Sequence, residues 1–477
     1  MTTILAVDQG TTSTKALLVS PDGGVIASAS AAVGRSYPRA GWVEQDANEL
    51  WASVPAAVEQ LPQAEIACIA VTAQRESVLV WERETGRPLT PVVSWQCTRG
   101  ADLCAELRAS GAEPLVRELT GLPLDSMFSA SKLRWLLDAD PALRAAAERG
   151  TACAGTVESW LVWNLSGRAL HVTDAGNAAR TMLFDLRRLD WSGELLALFE
   201  IPRSCLPVVV SSADGALGES SRSLARLPEI PLAALTADSH AALYGLGCTR
   251  VGTAKATLGS GSSVMSATGA EPRTSRSGLT TTVAWSTEQP TYALEGNIFS
   301  SGATVEWMAR VLGVAGAEEV ERLAAGVSDS GGVHVVPAFA GLGAPWWQPE
   351  ARGRVTGLSF ATGRAELARA AVDSIAYQVA DVVAALGEDL DRPLDELLQL
   401  QADLAGCPVV RSDSPDAAAV GAALLAGAAL GISPDAPTPP RGDRFEPRID
   451  AERRQELLAA WHAAAGVAWA REEAVVR

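Results

Sequence analysis

The sequence predicts an α/β fold in which two large domains face one another across a central cleft. Three observations carry that expectation. Apolar runs of strand type alternate with helix-type spacing along the chain. The strand-and-turn texture that opens the sequence returns after Asp238. The 477 residues also exceed what one hydrophobic core usually holds.

Taken in order, Ile4 to Val7 reads as a first strand, Asp8-Gln9-Gly10-Thr11-Thr12 as a polar turn, and Ala16 to Val19 as a second strand. Ile66 to Val71 and Val78 to Trp81 give further strands around the polar corner Gln74-Arg75-Glu76-Ser77, whose charges look placed rather than solvated. Apolar spacings of three and four predict helices over Asp102–Arg108, Ser131–Asp138 and Val157–Asn164. The stretch Val251 to Met265 holds a second glycine- and hydroxyl-rich turn, Thr257 to Ser263. A helix of small residues over Ala241–Gly247 carries the chain from one half to the other, which places the domains at 1–245 and 246–477. The longest uncharged run, Ala417 to Ile432, is shorter than the roughly 20 residues of a membrane span and reads as a packed soluble helix. Glu446 to Arg477 reads as a charged amphipathic helix.

Hydrophobic residues make up 48% of the chain and charged residues 20%, the proportions of an ordinary globular protein. A formal net charge of -17 repels nucleic acid and anionic membrane alike, so neither is expected as a partner. A phosphate-bearing ligand must then be held locally, by backbone N–H groups, a metal or a few placed cations. The seven cysteines (Cys68, Cys97, Cys104, Cys153, Cys205, Cys248 and Cys407) are scattered without a Cys-x-x-Cys pair, which predicts reduced thiols in the cytoplasm. The opening segment lacks the basic-then-apolar pattern of a secretory leader.

Several segments offer chemistry, each with a plainer alternative. Asp8 to Lys15 brings a carboxylate, a glycine, hydroxyls and consecutive N–H groups to one turn, which suits phosphate; a hairpin satisfying its own backbone has the same composition. Gly259-Ser260-Gly261 and Ser301-Gly302-Ala303 are further places for close backbone approach. Asp238, between an apolar run and a helix, is either an N-cap or a base that takes a proton from an attacking hydroxyl. Arg75 and Glu76 are either a surface ion pair or a donor and acceptor for vicinal hydroxyls. His240 either poises substrate or lies on the helix, and most of the 14 tryptophans, such as Trp160 and Trp163, belong to the core.

Together and in this order the segments resemble the FGGY family of carbohydrate kinases, and within it the glycerol kinases. The resemblance spans nearly the whole chain: Asp8 to Lys15, Gly41 to Asp46, Gln74 to Ser77, Trp95-Gln96, His171 to Asp174, Asn177 to Thr181, Asp238, Tyr292 to Gly296, Ser301 to Ala303, Pro337 to Trp347 and Ser374 to Gln378. It implies two ribonuclease-H-like domains of the actin and hexokinase superfamily, with ATP and Mg²⁺ as cofactors and a small polyol or sugar as substrate. The first domain would carry the substrate site, the first phosphate loop and the catalytic carboxylate; the second would carry the nucleotide side. By the same resemblance Thr11, Thr12, Ser13 and Lys15 meet the phosphates, and Asp8 holds Mg²⁺ through water. Gly259, Ser260, Gly302 and Glu306 reach the nucleotide. Arg75, Glu76, Trp95, Met127, Asp238 and Ser239 line the substrate pocket, with Asp238 as base. A homodimer is the assembly entertained.

The chain departs from the glycerol kinase pattern at five places. Met127 replaces a Tyr of the polyol pocket and Ser239 replaces a Gln after the base, which allows a different or larger substrate. Lys15 replaces an Arg and so loses the fork geometry. Glu306 replaces a nucleotide-binding Gln. Between a helix expected to end near Leu386 and another over Leu397–Gly406, the segment Gly387 to Asp395 lacks the family's strand, Gly-Gly turn and Asn that cradle adenine. Weak discrimination among nucleotide bases is the expected consequence. The expected activity is phosphorylation of a terminal hydroxyl, glycerol first. Its rivals are a xylulose-type kinase and a relative that binds ligand without turnover.

Overall fold

The structure, a computed structural model, describes residues 2–213, 217–220, 224, 227–390, 399–406, 409–410, 412, 416–434, 437 and 442–467. In the strand Thr3–Gln9 the run Ile4 to Val7 is apolar and both of its faces are covered. Ile4 and Ala6 face one core, shared with Leu424 and Leu425, while Leu5 and Val7 face another, shared with Leu50 and Trp160. This strand pairs antiparallel with Ser13–Val19 and parallel with Ile66–Ala73. The full sheet has six strands in the order Gly218–Glu219, Pro231–Ala237, Ile66–Ala73, Thr3–Gln9, Ser13–Val19, Val25–Ala32.

The second half begins with an antiparallel hairpin, Ala254–Leu258 and Ser262–Gly269, which continues through Pro290–Ile298 to Thr280–Ser286. Val264, Leu294 and Ile298 of this sheet pack against Val379, Val382 and Leu386 of the helix Arg364–Leu390. That helix is long and apolar enough to cross a membrane, but 67% of its most apolar window is buried and it serves as the spine of this core. It also runs four residues beyond the expected stop at Leu386. Asp389 accepts hydrogen bonds from Ser275 Oγ at 2.5 Å and Arg276 N at 2.9 Å, so acidic residues that resemble a loop are held as the last turn. Residues 391–398, which include most of the shortened segment, lie outside the described residues, as does Cys407; the following helix is described over Gln399–Ala405.

The halves meet through two helices, Asp238–Gly245 and Ala417–Ala429, packed on one face of the first sheet. Glycine permits the contact. A Cβ on Gly421 would stand 1.8 Å from Ala241 O, and one on Gly245 would stand 2.6 Å from Ala417 O. The run Ala417–Ala429 is thus the packed helix its composition suggests; of the helix expected over Glu446 to Arg477 the structure shows Ala451–Ala465, which starts at the Asp450 cap, and residues 468–477 lie outside the described residues. Five of the six described cysteines are buried and all six are free.

Candidate active site

A cleft of about 900 Å³ opens between the two sheets. Its floor starts at the corner between Ile66–Ala73 and Val78–Glu82. Ser77 N donates to Arg75 O at 2.7 Å across Glu76, whose φ of +62° makes this a γ-turn of the rare positive-φ kind. Such a conformation costs energy and persists where surrounding contacts over-determine it. Here Ser129 Oγ donates to Glu76 O at 3.0 Å and Ser77 Oγ to Gln74 Oε1 at 2.9 Å. The corner is buried, so the Arg75–Glu76 pair is not a surface ion pair.

The second sheet supplies the other half of the floor. Lys255 stands opposite Met265, Met265 opposite Glu295, and Glu295 opposite Thr280, so the four side chains share one face. Apart from Met265 that face is polar, and it docks on the corner. Arg75 Nη1 meets Glu295 Oε2 at 2.7 Å; Arg180, fully buried, meets the same oxygen at 3.1 Å and Glu76 Oε1 at 2.7 Å. Arg180 Nη2 also donates to Asn297 Oδ1 at 2.9 Å. Burial alone would push the Glu295 carboxyl up, but Arg180 and Arg75 hold it well below the ordinary carboxylate range.

Asp238 opens its helix at the edge of this network. The cap position is Ala237, so Asp238 is not the cap but the first helical residue, with its side chain about one-third exposed in the cleft. Burial of the carboxylate, reinforced by Glu76, raises its pKa; Arg75, whose Nε lies 3.5 Å away, and the Ser239 N–H oppose the shift. A carboxylate kept basic and within reach of the cleft is suited to accept a proton. Trp95, Met127 and Ser239 line the same wall.

The rim is built from the two glycine turns. Gln45 Nε2 donates to Thr11 O at 3.1 Å and Gln74 Nε2 to Gly10 O at 3.2 Å, fixing the first turn with Thr11, Thr12 and Ser13 at the cleft. Across from it, Gly259, Ser260 and Gly261 line the opening. Gly302 N donates to Gly259 O at 2.9 Å, and a Cβ on Gly302 would stand 2.7 Å from that oxygen, so glycine is required for the approach. Lys15 Nζ pairs with Asp416 Oδ1 at 2.6 Å. Glu306 stands exposed on the helix Gly302–Leu312 and is not part of the cleft lining.

Asp8 lies between floor and rim. Burial, then repulsion from Asp238, raise its pKa to about 7, with Asp416 adding and Lys15 opposing. A carboxylate destabilised in this way by a second carboxylate suits a hard divalent cation. Among the described residues no group of three acidic, His or Cys side chains could cage a metal.

The cleft therefore gathers every residue to which the family resemblance gave a role except Gly302, which adjoins it, and Glu306; His240, the substrate-poising candidate, is buried and outside the lining. Lys255, Arg180, Glu295 and Ser263 were given no role there. The signal that could have found Lys255 and Glu295 is a charge inside a strand whose other residues are apolar or small.

The N-terminal domain model of the FGGY family of carbohydrate kinases matches residues 3–245, and the C-terminal domain model matches residues 254–430. The chain belongs to this family. Its FGGY relatives include a glycerol kinase of Citrifermentans bemidjiense, 46% identical with 96% of this chain and 97% of the relative covered. Another is a glycerol kinase of Koribacter versatilis, 45% identical with 97% of each covered. Among solved structures, Plasmodium falciparum glycerol kinase with ADP superposes with a TM-score of 0.88 at 29% identity, covering 98% of both chains. Xylulose kinase from Rhodospirillum rubrum gives 0.81 at 26% identity, covering 97% of this chain and 98% of that one. The fold is thus the two-domain FGGY arrangement of the actin and hexokinase type, and the FGGY chain is a phosphotransferase acting on an alcohol group.

Proposed function

We propose that this FGGY kinase transfers the γ-phosphoryl group of ATP to a terminal hydroxyl of a small polyol, glycerol foremost, in the cytoplasm. The observation that carries the reading is the convergence of Arg75, Glu76, Trp95, Met127 and Asp238 on one wall of a cleft whose rim is formed by two glycine turns. Glycerol comes from the relatives, which carry that name over nearly their full length.

Arg75 and Glu76 offer a donor and an acceptor to neighbouring hydroxyls, while Trp95 and Met127 cover the carbon backbone and exclude water. Asp238 takes the proton of the terminal hydroxyl as its oxygen attacks phosphorus in line with the departing ADP oxygen. Thr11, Thr12, Ser13, Lys15, Ser260 and Gly302 hold the nucleotide phosphates. Mg²⁺, when bound, offsets the charge of those phosphates, and Asp8 is the residue that would hold it through water.

Release of ADP measured across glycerol, longer polyols and ketopentoses tests the reading. Glycerol or another short polyol should give the highest kcat/KM. A preference for xylulose, which the changes to Met127 and Ser239 leave open, would replace the substrate. Absence of ADP release with every acceptor would overturn the activity.

A further inference from the structure

We infer that Lys255 is a phosphate-contacting residue of this site: its ammonium group receives the phosphoryl group as it arrives on the acceptor oxygen. The inference rests on the kinase reading above and extends it to a residue with no assigned role.

Among the described residues six charged side chains line the cleft: Asp8, Lys15, Arg75, Glu76, Asp238 and Lys255. Of the three cations, Lys15 is tied to Asp416, and Arg75 is tied to Glu295 with Asp238 and Glu76 close by. Lys255 has no ion-pair partner among the described residues. Its Nζ donates instead to Ser239 Oγ and, at 2.8 Å, to Thr257 Oγ1. The residue is only 3% exposed, yet it lines the cleft. Burying an ammonium group on two neutral hydroxyls is costly unless an anion completes the site.

Position identifies that anion. Ser239 follows Asp238, the base, and phosphorus must reach an oxygen within hydrogen-bond range of Asp238. Lys255 is therefore fastened one residue from the point of transfer. It approaches from the second sheet, while Thr11 and Thr12 approach from the first.

The charge balance of the floor supports the same assignment. Arg75, Arg180 and Lys255 face Glu76, Glu295 and Asp238, and Glu295 is already bound by both arginines. During transfer the acceptor O–H proton passes to Asp238, the new O–P bond forms, and the bond from phosphorus to the ADP oxygen breaks. Neutralising Asp238 leaves the floor with one uncompensated positive charge beside a new phosphate ester. Lys255 is the member of the set without a carboxylate partner, so the excess charge resides there.

The groups facing Lys255 are Asp238 and His240 on the helix, Arg75 on the corner, Glu295 on the sheet, and Cys248 beyond the helix. Burial lowers the Lys255 pKa to about 8; Glu295 and Asp238 oppose the shift, and Arg75 adds to it. His240 is held neutral by burial and by the surrounding cations.

The test uses the full-length enzyme and its Lys255→Met and Lys255→Arg variants. The acceptor is the polyol ranked first by ADP release, with its phosphate ester; on the present reading these are glycerol and glycerol 3-phosphate. Lys255→Met should lower kcat by about 100-fold and leave acceptor KM within a few-fold. By calorimetry it should weaken the phosphate ester by about tenfold while sparing the free polyol. Lys255→Arg should recover most of both losses. Wild-type kcat/KM, which reports the free enzyme, should fall as pH rises through about 8, and Lys255→Arg should not show that fall, a comparison that holds even if the Met variant does not fold. Unchanged ester affinity in Lys255→Met, equal weakening of ester and polyol, or identical alkaline profiles for wild type and Lys255→Arg would each overturn the inference. Wild-type inactivity on every polyol would instead overturn the kinase reading.

Discussion

The floor and the rim of the cleft hold charge by opposite means. On the floor Arg75 and Arg180 are buried and share Glu295 and Glu76, so each carboxylate meets two guanidinium groups. At the rim Lys15 has one ion-pair partner among the described residues, Asp416, and its side chain is 41% exposed. The floor joins residues of both sheets into one rigid polar contact, whereas the rim consists of two turns held by backbone and amide hydrogen bonds. Substitutions on the floor should therefore disturb stability and acceptor chemistry together. Substitutions at the rim should act on the nucleotide alone.

The largest effect is expected at the edge of the floor. Asp238→Asn should cost at least about a thousandfold in kcat, about 4 kcal/mol, with Mg·ATP binding by calorimetry nearly intact. Retention of a tenth of wild-type rate would remove Asp238 from the role of base.

Next in size is Arg180→Met, which strips two buried carboxylates of a shared cation. Breaking such a network costs about 3 kcal/mol or more, whereas Lys15→Met at the rim should cost about 1 kcal/mol at most. Urea denaturation of both variants checks the contrast; equal losses would erase the distinction between the regions.

Glu158 sharpens the comparison from another side, since among the described residues no cation pairs with this buried carboxylate. Its Oε1 accepts from Thr173 Oγ1 at 2.7 Å, Oε2 has no partner among the described residues, and burial raises its pKa from 4.5 to about 7. A folded-state pKa above the unfolded value means stability that is full below about 4.5 and lost as pH rises through about 7. Glu295, with its lowered pKa, has the opposite sign: its contribution is present above the unfolded value and lost as pH falls. Glu158→Gln should gain on wild type by up to about 3 kcal/mol between pH 5 and pH 8, read from denaturation at the two values. A constant difference would contradict the assignment.

The smallest effect belongs to the rim. Gly302→Ala pushes a methyl group against Gly259 O and should raise the ATP KM several-fold while leaving acceptor KM unchanged. A parallel rise in acceptor KM would show that the rim is coupled to the floor.

Much of the fold was legible in the sequence because its physics is local. Ile4 to Val7 reads as a strand since both faces are buried, and Ala417 to Ile432 reads as a packed helix since small residues allow close approach. The site was legible only in part. Asp238, Arg75 and Glu76 stood out through the family resemblance, whereas their residue types alone left a cap or a surface pair open. Lys255 and Glu295 were missed because a charge at every second position of a strand normally faces water, and here it faces a second buried surface. The stop expected at Leu386 failed because Glu388 and Asp389 take partners from the distant loop at 275–277. Glu306 was placed by resemblance alone, and its exposed position contributes nothing to the cleft lining.

The central claim, that the floor delivers an acceptor hydroxyl to ATP, is tested most directly by ³¹P NMR of the wild-type enzyme with ATP, Mg²⁺ and glycerol. The account predicts that the γ-phosphate signal is replaced by a phosphate monoester at the terminal carbon in step with ADP. Persistence of the γ signal, or its conversion to inorganic phosphate alone, would contradict it.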